Sequence, residues 1–200
     1  MADKKTAIYP GSFNPLHPGH MSVIEQAAEV FDELVILVAD NPEKAYQVSQ
    51  FTRVNLIKKF LQDLDAGLPE FLRDGRIRVE YTSRSLVEYC HEHEIRFIVR
   101  GIRNGADLEY EEAQQYFVQK MAAEVTKEFT YTFFTVPEGY RSLSSSALRQ
   151  LATISNPMQF HMAYWPAGVL SEGLDTKIYN LYRRKHNGKV RTDNRKNRGR

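Results

Sequence analysis

The amino-acid sequence predicts an α/β fold, in which a doubly wound, parallel, five-stranded sheet is followed by a C-terminal helix and a basic tail. One observation is that five short runs of β-branched, aliphatic and aromatic residues alternate with segments whose apolar residues recur at helical spacing. Strands that alternate with helices pair in parallel through right-handed crossovers. The other is that the run at residues 34–39 is apolar throughout, which is typical of a strand buried on both faces.

Each element follows from a local pattern. The strands are short runs rich in Ile, Val, Tyr, Phe and Thr, and they are predicted over residues 6–9, 34–39, 77–81, 97–99 and 129–136. The helices have apolar residues every three or four positions, as at Val23, Ile24 and Ala27, and they are predicted over residues 20–31, 54–64, 86–93, 108–125, 144–154 and 170–184. Residues 65–75, with two glycines and a proline, are predicted to form a loop.

Composition and charge divide the chain into a body and a tail. Of the 200 residues, 42% are apolar and 26% are charged, which is ordinary for one globular domain with a sizeable core. We predict such a domain over residues 1–185 and a disordered tail over 186–200, where polar residues occur without an apolar period. Residues 183–200 carry nine Lys or Arg against one Asp, which leaves 18 basic and 24 acidic residues in the body. This acidic body argues against a protein whose main surface binds nucleic acid.

Simple features exclude several classes of protein. The longest apolar run, 34–39, is far shorter than the roughly 20 residues that cross a bilayer, so no membrane partner is expected. The N-terminus lacks an apolar signal core, so secretion is not expected either. The single cysteine, Cys90, excludes an intrachain disulfide and a multi-cysteine zinc site. A cytoplasmic location is the resulting expectation.

Functional residues are expected just after the strands, because ligands of such sheets bind beyond the carboxyl ends of the strands. The first strand leads into a Gly/Pro-rich segment that carries His17 and His20 and opens a helix. A helix N-terminus attracts phosphate, and His20 can add a donor to the same anion. The same segment can also be a turn without a ligand, and nothing nearby supplies further ligands for a zinc site.

Two later segments carry anion-binding residue types. Arg100 and Arg103 flank a glycine at the end of the fourth strand, where a desolvated guanidinium is a strong phosphate ligand. The alternative is a pair of surface arginines bridged to Asp107 or Glu111. After the fifth strand, three serines at positions 144–146 open a helix. One serine suffices as the N-cap, so the others can cradle a second phosphate.

Together these motifs resemble the nucleotidyltransferase superfamily, which has an HxGH signature (here residues 17–20) and a serine-rich ISSS-type motif (here residues 143–146). Within it, RGxR at 100–103 followed by DxEYE at 107–111 is similar to the phosphopantetheine adenylyltransferase family. The match covers roughly residues 6–154. The resemblance implies a Rossmann-like nucleotidyltransferase fold and a homo-oligomer, typically a hexamer.

The activity that this resemblance implies is transfer of AMP from ATP to 4′-phosphopantetheine, which gives dephospho-coenzyme A and pyrophosphate. Mg²⁺ would bridge the ATP phosphates and would be held largely by substrate and water, not by a protein metal site. The acceptor phosphate is already ionised. The reaction therefore needs alignment of two anions and neutralisation of charge, and it needs no serine nucleophile or strong base.

Residue roles carry over from the family position by position. The resemblance implies catalytic roles for His20, Lys44 and Ser12. It implies ATP binding by Ser12, Phe13, His17, His20, Arg103, Glu109, Ser144, Ser145 and Ser146. It implies acceptor binding by Ser12, Lys44, Leu86 and Arg100. In this scheme His20 stabilises the transition state and Arg100 holds the phosphate of the acceptor.

Several positions depart from the family pattern, mostly around the acceptor pocket. Residues 117–119 are Phe-Val-Gln where the family usually has Met-Asn-Arg, and Gln150 stands where glutamate is usual. Arg84 and Asn14 each stand where an aspartate is usual. The departures therefore leave the identity of the acceptor more open than the reaction.

Two alternatives remain at this stage. The GSFNPxHxGH spelling at residues 11–20 is close to that of nicotinate or nicotinamide mononucleotide adenylyltransferases, although those enzymes normally lack the RGxR and DxEYE segments. A non-catalytic nucleotide-binding or RNA-binding module that uses the basic tail is the other alternative. Such a module has no chemical need for His17, His20, Lys44, Arg100 and Arg103 together.

Overall fold

The computed structural model describes residues 4–40, 46, 48–63, 75–122, 128–164 and 173–183. The strands are β1 (Thr6–Gly11), β2 (Glu33–Val38), β3 (Ile77–Tyr81), β4 (Phe97–Ile102) and β5 (Thr130–Thr135). The helices are α1 (Pro18–Val30), α2 (Gln50–Asp63), α3 (Leu86–Glu92), α4 (Gly105–Ala122), α5 (Ser145–Ile154), α6 (Pro157–Tyr164) and α7 (Leu174–Arg183). Among the described helices, none combines the length and the apolar character that crossing a membrane requires.

The five strands form one parallel sheet in the order β3-β2-β1-β4-β5. β1 lies at the centre, where Ile8 is opposite Val35 of β2 on one side and Ile98 of β4 on the other. The strand order changes direction between β1 and β4, and this change opens a crevice at their carboxyl ends. The predicted doubly wound parallel sheet is confirmed.

Helices cover both faces of the sheet because successive residues of a strand point to opposite sides. Ala7 and Tyr9 of β1 belong to a core cluster that includes residues of α1, α2 and the three C-terminal helices. Ile8, between them, belongs to a second cluster with residues of α3 and α4. The central strand is therefore buried on both faces.

Both central strands extend beyond their predicted ends. β1 continues to Gly11 because Pro10 and Gly11 stay in register with Leu37 and Val38 of β2. β4 continues through Arg100 and Gly101 to Ile102 along β5. Pro10, Gly11 and Gly101, which are residue types common in turns, are therefore the paired last residues of these strands or close to them. The sheet register fixes the positions at which the following segments begin.

Helix α6 is a correction to the sequence prediction, which placed one helix between residue 154 and the tail. Of the α6 side chains whose burial the structure describes, only Phe160 and Tyr164 are deeply buried, whereas Met158 and Met162 are 72% and 65% exposed. Such exposed apolar residues hide the helical period. The predicted helix over 170–184 corresponds to α7 within the described residues. Most of the predicted loop at 65–75 and the whole predicted tail lie outside them.

Candidate active site

An open cleft of about 610 Å³ lies at the carboxyl ends of β1 and β4. Its walls come from the β1–α1 loop (residues 12–17), the start of α1, the end of β4, the first turns of α4 and the start of α5. Nine of the predicted site residues line this cleft: Ser12, Phe13, His17, His20, Arg100, Arg103, Ser144, Ser145 and Ser146. Topology thus brings together residues that are up to 134 positions apart in the sequence.

The two histidines of the HxGH segment stack on each other at the start of α1. Their ring centroids are 3.7 Å apart with an interplanar angle of 29°. Gly19 makes this packing possible, because a Cβ at that position would lie 3.1 Å from a ring carbon of His17. Phe13 packs edge-on against His20 with a centroid distance of 5.0 Å. The His20 ring is therefore held between an imidazole and a phenyl ring.

His20 is a neutral hydrogen-bond donor in this arrangement. Its Nδ1 accepts a 3.2 Å hydrogen bond from the backbone N–H of His17, which places the proton of the neutral ring on Nε2. Burial, with smaller effects of His17 and Arg103, holds the pKa of His20 well below its usual 6.5. Burial, followed by the charge of Arg103, lowers the pKa of His17 to about 4. Both rings are therefore uncharged at neutral pH.

Arg100 is held from two directions at the end of β4. Its Nε donates to Glu111 Oε2 at 2.5 Å, and its Nη1 donates to the Pro10 carbonyl at 3.1 Å. The Pro10 contact ties the arginine to the neighbouring strand β1. An arginine so restrained presents its remaining N–H groups to the cleft in a fixed direction.

Arg103 forms a bidentate pair with Asp107 in the first turn of α4. Its Nε and Nη2 donate to the two carboxylate oxygens at 2.8 and 2.9 Å. The strong hydrogen bond from Arg103 holds the pKa of Asp107 below its usual range. Asn104 caps the helix, because its Oδ1 accepts the Asp107 backbone N–H at 2.9 Å. The start of α4 therefore orients Arg103 rigidly.

Gly101, between the two arginines, is required by close packing. A Cβ at this position would lie 2.7 Å from Val23 Cγ2 of α1. Helix α1 can therefore approach β4 closely enough to bring His17 and His20 to the same cleft as the two arginines.

The three serines at the start of α5 have different partners. Ser144 caps the helix, since its Oγ accepts the Ala147 backbone N–H at 3.1 Å. Ser145 Oγ donates to the Pro15 carbonyl at 2.9 Å. Ser146 Oγ accepts from Arg149 Nη2 at 3.0 Å. Capping therefore accounts for one serine, as predicted. Ser145 connects α5 to the β1–α1 loop, and Ser146 contacts Arg149, a third arginine of the cleft, within the same helix.

Side chains from helices α2, α5 and α6 hold the β1–α1 loop through hydrogen bonds to its backbone. Four backbone carbonyls accept hydrogen bonds: Ser12 from Arg53, Asn14 from Arg149, Pro15 from Ser145 and Leu16 from Tyr164. Arg53 is itself 1% exposed and also pairs with Asp40. Because a buried unpaired carbonyl costs about 1–3 kcal/mol, these bonds define one conformation of the loop.

Two predicted residues, Glu109 and Leu86, are not among the described residues that line the cleft. Glu109 is exposed on the side of α4 that faces away from it, and Leu86 packs against the core cluster beneath α3 and α4. Lys44 lies outside the described residues. The cleft instead receives Glu111, which is four residues after Asp107 and therefore on the same face of the helix.

Sequence reasoning missed two residues that the structure places in the lining as cleft partners. The predicted alternative, an arginine bridged to Glu111, is confirmed by the Arg100–Glu111 pair, but the sequence analysis does not place Glu111 in the cleft, although its spacing from Asp107 predicts a shared helix face. Arg149 was not considered, although it is three residues after Ser146 and therefore on the same side of α5. Helical spacing was the signal that could have found both.

The cleft is suited to binding two anionic groups. Arg100, Arg103 and Arg149 supply guanidinium groups, and the start of α5 supplies backbone N–H groups without intrahelical partners. Among the described residues there is no group of three or more acidic, His or Cys side chains that could hold a metal ion. Asp107 and Glu111 are instead engaged by arginines.

Comparison with known proteins identifies the family. The family profile described as cytidylyltransferase-like matches residues 8–151. Phosphopantetheine adenylyltransferase of Thermotoga neapolitana is 34% identical over 146 residues, which are 73% of this chain and 82% of the relative. The enzyme of the same name from Dictyoglomus turgidum is 28% identical over 178 residues, or 88% of this chain and 97% of the relative.

A solved structure supports the fold. Plasmodium falciparum nicotinic acid mononucleotide adenylyltransferase, complexed with NaAD, aligns with a TM-score of 0.61 over 90% of this chain and 98% of the other. Its sequence identity is 16%, so the similarity concerns the fold alone. The sequence relatives carry the closer relationship: this chain belongs to the cytidylyltransferase-like family and, within it, to the phosphopantetheine adenylyltransferases.

Proposed function

We propose that this protein transfers AMP from MgATP to 4′-phosphopantetheine and releases dephospho-coenzyme A and pyrophosphate. The observation that carries the proposal is the convergence of a neutral His20 donor, two carboxylate-held arginines and the serine-rich start of α5 on one cleft. Adenylyl transfer between two phosphates requires these two kinds of group: ligands that align anions and donors that meet developing charge.

In the proposed reaction, an oxygen of the acceptor phosphate attacks the α-phosphorus of ATP. The bond from that phosphorus to the oxygen bridging to the β-phosphorus breaks, and its electron pair leaves with pyrophosphate. Because the acceptor oxygen is already ionised, the protein need not remove a proton. The neutral Nε2–H of His20 donates to the α-phosphate, whose charge distribution changes most in the transition state.

We assign the acceptor phosphate and the phosphates of ATP to different residues of the cleft. We infer that Arg100 binds the acceptor phosphate and that Arg103, the start of α5 and Arg149 bind the phosphates of ATP. Ser12 and Phe13 line the same cleft, and Lys44 would add a positive charge beside the reacting phosphates. The carboxylates of Asp107 and Glu111 are engaged by arginines, so Mg²⁺ would arrive bound to ATP oxygens and water.

The roles of two predicted residues rest on the resemblance alone. Glu109 is exposed and is not among the described residues that line the cleft, whereas Asp107 and Glu111 of the same helix are. Leu86 contacts the core, so any contact with the acceptor would involve the pantetheine arm beyond the phosphate site.

The family resemblance also leads us to infer a cytoplasmic homo-oligomer, a hexamer by analogy. Tyr116, Phe117 and Met121 on α4 are 65%, 62% and 60% exposed, and exposed apolar groups of this kind are typical of interfaces. The molar mass in solution tests this inference directly.

The test of the proposed function is pyrophosphate release from MgATP with three acceptors in parallel. We expect release with 4′-phosphopantetheine, and none with nicotinate mononucleotide or nicotinamide mononucleotide. Release with a mononucleotide only would keep the mechanism and replace the substrate. Absence of pyrophosphate release with all three acceptors would contradict the proposal and favour a non-catalytic nucleotide-binding module.

His20→Ala should lower kcat by about 10²- to 10³-fold, the typical cost of removing a donor that meets transition-state charge. The dissociation constant of ATP, measured by calorimetry, should change little, because the donor acts mainly in the transition state. His93→Ala is the control: it removes an exposed histidine at the end of α3 that is not among the described residues lining the cleft. Near-normal turnover of His20→Ala would refute the assignment.

Arg100→Ala should raise the KM for the acceptor by roughly 10- to 100-fold, because a charge-assisted hydrogen bond to phosphate contributes about 1.5–3 kcal/mol. The KM for ATP should change much less. Arg100→Lys keeps the charge but loses the fork that Glu111 and Pro10 hold, so we expect an intermediate KM. Equal loss of affinity for both substrates would contradict the assignment of separate anion sites.

The imidazoles of His17 and His20 should stay neutral as the pH falls from 7 to 5, since burial depresses both pKa values, that of His17 to about 4. In the unfolded chain both groups take up protons near pH 6.5, so their contribution to stability is present above that pH and is lost as the pH falls further. Histidine NMR titration of the free enzyme measures this directly. A resonance of either residue that titrates near 6.5 would contradict the neutral-donor mechanism.

A further inference from the structure

The C-terminal helices contact the β1–α1 loop through two buried tyrosines. Tyr182 of α7 is 1% exposed, and its hydroxyl donates to Asn14 Oδ1 at 2.6 Å. Tyr164 of α6 is fully buried, and its hydroxyl donates to the Leu16 carbonyl. Both tyrosines lie beyond residue 151, where the family profile ends. Neither tyrosine is among the described residues that line the cleft, so both influence the site through the β1–α1 loop.

The held residues lie directly beside those that present the His20 ring. Asn14 is 2% exposed, lines the cleft and is three residues before His17. The backbone N–H of His17 donates to Nδ1 of His20 and so fixes which nitrogen of His20 carries the proton. A movement of the loop at Asn14 therefore changes the hydrogen bond on which the His20 donor depends.

We propose that Tyr182 is a positioning residue for the adenylyl transfer. Through Asn14 it holds the β1–α1 loop in the conformation in which the His17 N–H keeps the His20 proton on Nε2. The kinetic consequence of this inference depends on the proposed function, whereas its consequence for the loop and for His20 does not.

Tyr179 provides a matched control on the same helix. It is also 1% exposed, and its hydroxyl donates a 2.7 Å hydrogen bond to the carbonyl of Ser155 at the end of α5. Tyr179→Phe therefore removes one hydroxyl-to-oxygen hydrogen bond of nearly the same length from a buried tyrosine, but one that does not touch the β1–α1 loop.

The kinetic experiment compares Tyr182→Phe with Tyr179→Phe in the full chain. Each variant should lower the Tm by about 2–4 °C, the effect of losing one hydrogen bond of a buried side chain in a domain of this size. Only Tyr182→Phe should lower kcat, by roughly 10- to 100-fold, because small misplacements of catalytic groups have effects of this order. The KM for MgATP and for the acceptor should stay close to the wild-type values.

The second readout needs no turnover. In protein with ¹⁵N-labelled histidine, the Nδ1 and Nε2 shifts of His20 report the tautomer. Tyr182→Phe should move them towards averaged values, whereas Tyr179→Phe should leave them as in the wild type. If the wild-type protein releases no pyrophosphate, the proposed function is refuted. The ¹⁵N shifts of His20 then test the role of Tyr182 without the kinetic data.

The inference is overturned if Tyr182→Phe lowers the Tm but retains the wild-type kcat and the wild-type His20 shifts. It is also overturned if Tyr179→Phe reduces kcat as much as Tyr182→Phe does, since the effect then belongs to general stability.

Discussion

The structure depends on hydrogen bonds to the β1–α1 loop, which lies beyond the last paired residue of strand β1. Beyond Gly11 the β1–α1 loop loses the ladder that pairs the carbonyls of β1, yet most of its residues are buried. Its acceptors are satisfied by side chains from α2, α5, α6 and α7. A buried carbonyl without a partner costs about 1–3 kcal/mol, so the loop takes its conformation only when all four helices are docked. The site is thus a consequence of the whole fold.

Two of the three arginines named in the cleft have carboxylate partners before any substrate enters. Glu111 engages Arg100, Asp107 engages Arg103, and burial keeps both histidines neutral. This pairing limits the repulsion between neighbouring cations and fixes the directions of their donors. It also reduces the attraction for the ground-state phosphates of the substrates. Donors fixed in this way need little reorganisation during the reaction, so the arrangement favours the transition state over simple binding.

The sequence predicted those parts of the fold that are determined locally. In the strands and in most helices, the apolar residues recur at a spacing typical of the element, and the parallel pairing follows from the alternation of strands and helices. Helix α6 was missed because its exposed methionines obscure its two buried aromatic positions. In the site, motifs located the histidines, arginines and serines. Partners set by the three-dimensional arrangement, such as Arg149 with Asn14 or Tyr182 with Asn14, are 135 and 168 residues apart and leave no local pattern.

Asn14 shows how a departure from the family pattern fits this arrangement. A carboxylate at this position, as is usual in the family, would accept the hydroxyl hydrogen bond of Tyr182 equally well. It would also place a negative charge in the lining of the cleft that we propose binds phosphates, beside Arg149 and the start of α5. The neutral Asn14 amide accepts the 2.6 Å hydrogen bond from the Tyr182 hydroxyl without adding a negative charge to the cleft. The substitution therefore preserves the attachment of α7 to the loop and makes the local potential more favourable for anions.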